Sequence, residues 1–261
     1  MASKKRWADR GLELLARSGF LARGIVYLVV GGVAARIAFL SHGRAIGPAG
    51  ALHSILRAWN GRLALCLVEA GLLSFVFFRL VQARRAKTRL ARVGYLVSAL
   101  GIFVLALSAA GLLLGLRTGP DGEPLRRWGA WLVSRAWGRG ALELGGAIAA
   151  VAGAIEAGRA LLGRLPRDFT AALSVRQPRR WTYRLARVGV FAHGAVLLAV
   201  GLSVCRAGFD ANARELFGTG GALRAVRVLH APGIFVVAAA GLLAYGISLM
   251  VLAAHPRRRT L

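Results

Sequence analysis

The sequence predicts an all-α, polytopic membrane protein with six transmembrane helices, arranged as three tandem helical-hairpin repeats. Three observations lead there. Apolar runs recur six times, each about 20 residues long, enough at 1.5 Å rise per residue to cross a hydrocarbon core of ~30 Å. Charged residues collect between those runs. Short motifs then recur along the chain at nearly constant spacing.

The composition supports the class. Of 261 residues, 57% are hydrophobic and the mean hydropathy is +0.59, too apolar for a soluble domain of this size. The net charge is +26, from 36 basic and 10 acidic residues. Such a charge fits a nucleic-acid binder or a membrane protein with basic loops. Because the charges flank apolar runs instead of forming a basic domain, the expected partner is a lipid bilayer with anionic headgroups. No nucleic acid is expected.

The predicted spans are 20–40, 63–81, 93–116, 141–162, 188–205 and 231–254. The third and sixth hold no charged residue, whereas the first, second and fourth do. The first could pass for a signal peptide, with Val33-Ala34-Ala35 as a cleavage site. Its charged lead-in is long for that role, and it has counterparts later in the chain, so it is read as a retained span.

Those counterparts define the repeats. Ala16-Arg17-Ser18-Gly19, Ala91-Arg92-Val93-Gly94 and Ala186-Arg187-Val188-Gly189 share A-R-x-G. Small residues follow at Gly24, Ala99 and Gly194, then seven positions on at Gly31, Ala106 and Gly201. Seven residues are two helical turns, so each odd-numbered span carries a small-residue face. In lipid, close packing of such faces is a main source of helix association. The even spans share Ala70-Gly71-Leu72-Leu73 and Ala240-Gly241-Leu242-Leu243, with Ala152-Gly153-Ala154-Ile155 as a looser copy. A third echo lies in the loops at Gly50-Ala51-Leu52, Gly129-Ala130-Trp131 and Gly221-Ala222-Leu223, which read as short interfacial helices or ordered turns. The units are 14–84, 89–164 and 184–254, with a basic cytoplasmic linker at 165–183.

Charge sets the expected orientation. The termini and the loops between units carry 20 basic residues, the loops within units 12, and the spans 4. By the positive-inside rule both termini are cytoplasmic, in a bacterial plasma membrane.

The A-R-x-G openings resemble a bacterial membrane family designated domain of unknown function 1206. The first unit fits best, through Ala16-Arg17-Ser18-Gly19, Arg23-Gly24-Ile25-Val26-Tyr27 and Gly31. The third departs with His193-Gly194 and Leu197, the second further with Ser98-Ala99 and Ile102. The resemblance covers residues 14–254. It implies a six-span membrane protein and brings no catalytic or ligand-binding residues.

Charges within spans are costly and are therefore the candidate functional groups: Arg23, Arg36, Glu69, Glu156, Arg159 and His193. Depth in the predicted topology allows an Arg36–Glu69 pair in the first unit. Glu156 is placed to pair with Arg23 or His193 across units, or with Arg159 one turn on. These groups read either as a proton or anion relay or as paired charges locking helices, with Arg79, Glu143 and Arg206 snorkelling to the interfaces. Arg17, Arg92 and Arg187 recur at one repeat position, as a ring binding anions or as contacts to lipid headgroups.

No metal, cofactor or catalytic residue is expected. Cys66 and Cys205 have no metal-ligand spacing and read as two inert thiols. His42, His53, His230 and His255 fall outside the spans, so two facing haem-ligating histidines are not available. No Walker, HExxH or GxSxG motif occurs. The expected role is thus a non-enzymatic membrane-structural or lipid-interacting protein. The alternative is a small transporter or channel for an anionic solute or protons.

Overall fold

The computed structural model describes residues 2–40, 46–86, 88–116, 129–135, 137–165, 169, 180–212, 216–228 and 232–254. The main helices are α1 (Ala2–Leu40), α2 (Pro48–Leu56), α3 (Gly61–Arg85), α4 (Arg89–Leu113), α5 (Gly138–Leu161), α6 (Arg180–Phe209), α7 (Thr219–Val228) and α8 (Pro232–Ala254). Six are long and apolar enough to cross a membrane: α1, α3, α4, α5, α6 and α8. No strand occurs among the described residues. All six predicted spans are therefore helices, in a multi-pass membrane protein.

Helix ends follow local chemistry more closely than hydropathy. Both α1 and α6 extend past their predicted basic ends, because nothing in ADRGLELLAR or RWTYRLAR breaks a helix. At the far ends, α4 and α5 stop at Gly115 and Gly163, which adopt φ +72° and +71°. There Leu116 N–H donates to the Gly111 carbonyl and Arg164 N–H to the Arg159 carbonyl, closing glycine C-caps. The loop echoes at Gly50 and Gly221 lie within α2 and α7, and residues 129–133 are also helical. Proline at the start of α2 presets that helix.

The six long helices pack in the order α4–α3–α1–α8–α6–α5, with α2 and α7 laid against their ends. The core lies where α1, α3 and α8 meet, around Phe20, Val26, Val30, Leu72, Phe75, Leu242 and Leu249. The predicted small faces work between different segments. A Cβ on Gly31 would lie 2.7 Å from Leu243 N, and one on Gly201 would lie 2.3 Å from Ala150 N. Ala99 and Ala106 are likewise buried on α4, which packs on α3. A second glycine set works within the first and third segments. Gly19 receives Phe75 of α3, and Gly189 receives the backbone of α8 at Tyr245.

Two expectations about the middle segment are corrected. First, α4 packs on α3 and α5 packs on α6, and no comparable interface joins α4 to α5. The 89–164 segment is thus not a packed hairpin like its neighbours. Second, Gly153 is not the structural counterpart of Gly71 and Gly241. Those two approach Ala22 and Ala192 of the preceding helix in their own segments, whereas Gly153 faces Gly194 O and Leu198 of α6. In that position it matches Gly246, which faces Gly24 O and Leu28. Small residues are so dense in GGAIAAVAGAIEAG that a motif match slides easily, while contact selects one register.

Candidate functional site: a buried arginine–tyrosine–histidine–glutamate cluster

α1 carries Arg23 and, one turn later on the same face, Tyr27. Arg23 is 7% exposed although charged. Its guanidinium lies 4.8 Å from the Phe75 ring centre on α3. Its Nη2 donates to the Tyr245 hydroxyl on α8 at 3.1 Å, and its Nε has no hydrogen-bond partner among the described residues. Arg79 also stacks on Phe75, at 4.8 Å, and on Tyr95 of α4 at 5.5 Å, and donates to Gln82. Cation–π contact gives such guanidinium groups a polar neighbour where water is scarce.

Next to this arginine end sits a hydrogen-bonded chain. His193 Nδ1 of α6 lies 3.1 Å from Glu156 Oε1 of α5, and His193 Nε2 lies 3.0 Å from the Tyr27 hydroxyl. The imidazole stacks on Tyr245 with ring centres 4.3 Å apart and planes 14° from parallel. Tyr245 meets Tyr27 edge-on at 5.0 Å, and Phe169 of the linker closes on Tyr245 at 6.5 Å. With Glu156 ionised and His193 neutral, Nδ1–H donates to the carboxylate and the Tyr27 hydroxyl donates to Nε2. A protonated ring donates at both nitrogens. Five helices, α1, α3, α5, α6 and α8, thus share one polar cluster.

The structure brings together Arg23, Glu156 and His193, and joins His193 to Glu156. Arg23 makes no ion pair with that carboxylate; its donor goes to Tyr245. Arg36 is exposed and forms no ion pair with Glu69. Glu69 is half-buried, with Oε2 unpartnered among the described residues. Arg159 is exposed and has no ion pair among the described residues, because Glu156 turns toward α6. Arg79 stacks inward instead of snorkelling. Among the described residues, no set of three His, Cys, Asp or Glu groups could hold a metal ion. Cys66 is exposed, Cys205 half-buried, and both are free.

The recurring arginines do not act as one ring. Arg17 donates from Nε to Ala253 O at 2.8 Å and from Nη2 to Ala254 O at 3.2 Å. Arg187 donates likewise to Ala160 O and Leu161 O. Each satisfies the last carbonyls of a neighbouring helix, where a cation also complements the dipole. Arg92 is exposed, and its side chain makes no hydrogen bond or ion pair among the described residues.

Tyr27, Tyr245, Phe75 and Phe169 were not among the sequence candidates. One signal was available: the A-G-L-L motif extends to Phe75 and Tyr245, each four residues after its glycine. Phe169 had none, since only the fold brings the linker to Tyr245.

Six apolar helices around a buried polar cluster define a polytopic α-helical membrane protein. Residues 18–86 match the family described as Domain of Unknown Function (DUF1206), which bears out the family resemblance over the first helix pair. The chain is also similar to Uncharacterized protein YxxB of Bacillus subtilis (strain 168). They are 25% identical over 258 residues, covering 95% of this chain and 92% of that protein. No solved structure matches.

Proposed function

We propose that the protein is a non-enzymatic, membrane-structural and lipid-interacting component of the bacterial plasma membrane, with both termini cytoplasmic. One observation carries this reading. His193 links Glu156 on α5 to the Tyr27 hydroxyl on α1, so one buried hydrogen-bonded chain ties three helices together. Their side chains are only 14% and 22% exposed for His193 and Glu156, which suits a lock better than a passage. Two repeat arginines capping helix ends supports the same reading. For the topology, a phosphatase fused at Gly122 is expected to be active only outside the cytoplasm, and a fluorescent protein fused at Gln177 to fluoresce inside; the reverse pattern would sink it.

The test of function is flux through proteoliposomes. Wild type is expected to carry chloride, phosphate and protons no faster than empty liposomes, while Glu156→Gln unfolds more easily. Flux lost in Glu156→Gln and Glu69→Gln would establish the transport reading instead. One feature favours that alternative: carboxylate, imidazole and phenol form a continuous hydrogen-bonded chain, the arrangement a proton relay requires.

A further inference from the structure

We propose that Phe169 is a plug. Its ring fills a slot where α6 begins and α8 ends, and keeps water from Tyr245 and from the His193–Glu156 pair that Tyr245 supports. The inference rests on the lock reading above, because a buried polar lock holds best when it stays dry.

The slot is visible when the first and third segments are compared. Gly19 receives Phe75 as Gly189 receives Tyr245, and Gly71 meets Ala22 as Gly241 meets Ala192, each contact recurring 170 residues on. In the first segment three rings fill the space beside these contacts. Phe20 lies 5.3 Å from Phe75 and 6.4 Å from Phe78, and Phe75 lies 6.1 Å from Phe78. All three belong to spanning helices. The same positions in the third segment hold Val190, Tyr245 and Ser248. Two rings are missing there, and a close-packed interior must fill that space from elsewhere.

The linker supplies the filling. Phe169 is only 4% exposed. Its ring sits 6.5 Å from Tyr245 with planes at 34°, close to the 6.1 Å and 49° between Phe78 and Phe75. The fit is incomplete. A small cavity remains, walled by Phe169, by Thr182 and Ala186 of α6, and by Ser248 and Leu252 of α8. A ring beside a void forfeits part of its dispersion contacts, so it is held less firmly than Phe78. Phe78 also moves only with α3, whereas Phe169 can leave its slot without displacing a spanning helix.

The consequence falls on the cluster. Tyr245 is 3% exposed. It touches Phe169, stacks on His193 with ring centres 4.3 Å apart, and accepts from Arg23. Only about 14 Å of helix, at 1.5 Å per residue, separates it from the end of α8 at Ala254. Water entering the vacated slot would compete for the hydrogen bonds that join Arg23, His193 and Glu156. The linker thus controls hydration of a lock built by the spanning helices.

The experiment is hydroxyl-radical footprinting of the full chain in lipid nanodiscs, with oxidation read at each residue by mass spectrometry. In wild type, Tyr245 and Phe75 should both be protected. Phe169→Ala should raise Tyr245 oxidation several-fold and leave Phe75 unchanged. Phe169→Leu, which keeps most of the volume, should raise it less, and serves if the alanine variant does not fold. Adding Ser248→Phe to Phe169→Ala places a ring where the first segment has Phe78, and should restore protection. Unchanged Tyr245 oxidation in folded Phe169 variants, an equal rise at Phe75, or no rescue by Ser248→Phe would overturn the proposal. Any of these leaves the non-conducting structural reading standing; only solute flux removes that.

Discussion

The helix pairs α1–α3 and α6–α8 differ from α4 and α5 in one respect that matters. The first two pairs close on themselves; the third does not. All three odd helices open with the same glycine, at Gly19, Gly94 and Gly189. In two of them the notch is occupied, and in the third it is empty. A small residue permits approach, but it does not supply the group that makes approach favourable. Phe75 and Tyr245 supply it in the closed pairs, and they also carry the arginine and histidine of the buried cluster. The middle pair lacks that aromatic residue and its outer helices pack elsewhere, α4 on α3 and α5 on α6.

The largest expected effects contrast the glycines themselves. Gly19→Val and Gly189→Val force a side chain into backbone and ring atoms, and each should cost about 1–3 kcal/mol of stability in detergent unfolding. Gly94→Ala meets nothing and replaces glycine inside a helix, so it should stabilise by up to about 1 kcal/mol. Equal losses at all three positions would show that the middle seam is closed in the membrane.

Next in size is the cluster. Glu156→Ala leaves His193 without its carboxylate and should cost about 2 kcal/mol, the scale of a hydrogen bond involving a charged group. His193→Ala should cost a similar amount, and the double variant should cost less than their sum, because one interaction is removed twice. Strict additivity would mean the two side chains act independently. Tyr245→Phe removes only the hydroxyl that Arg23 uses, so about 1 kcal/mol is expected, with thermal unfolding as the readout.

The smallest effects belong to the repeat arginines. Arg17→Ala loses two bonds to the end of α8 and should cost about 1 kcal/mol. Arg187→Ala should lose less, because its side chain is more exposed and water competes for the same carbonyls. Arg92→Ala should change unfolding little, having no such bond to lose. A loss at Arg92 equal to that at Arg17 would erase the contrast between the middle segment and its neighbours.

Much of the fold was legible before any coordinates. Apolar length and the placement of charge located all six spanning helices, and the seven-residue recurrence of small residues identified the faces where backbones meet. Of the candidate site, Arg23, Glu156 and His193 were legible, since a charge within an apolar run is conspicuous. Tyr27 and Tyr245 were not, because an aromatic residue in a span looks like ordinary packing until its hydroxyl is seen to meet a charge. Arg36 and Glu69 sat at compatible depths yet do not pair. Depth is one coordinate; the direction a side chain faces around the helix is another.

That distinction separates what the chain alone determined from what tertiary structure decided. Hydropathy and helical periodicity are local, so membrane crossing, helix number and the small faces follow from neighbours within a few turns. Which helix meets which face depends on pairwise fit between segments up to 237 residues apart, as in Arg17 and the carbonyls ending α8. The packing order, the union of Arg23, Tyr27, Glu156, His193 and Tyr245, and the open seam beside Gly94 all arise at that level. A glycine looks the same in sequence whether its notch is filled or empty.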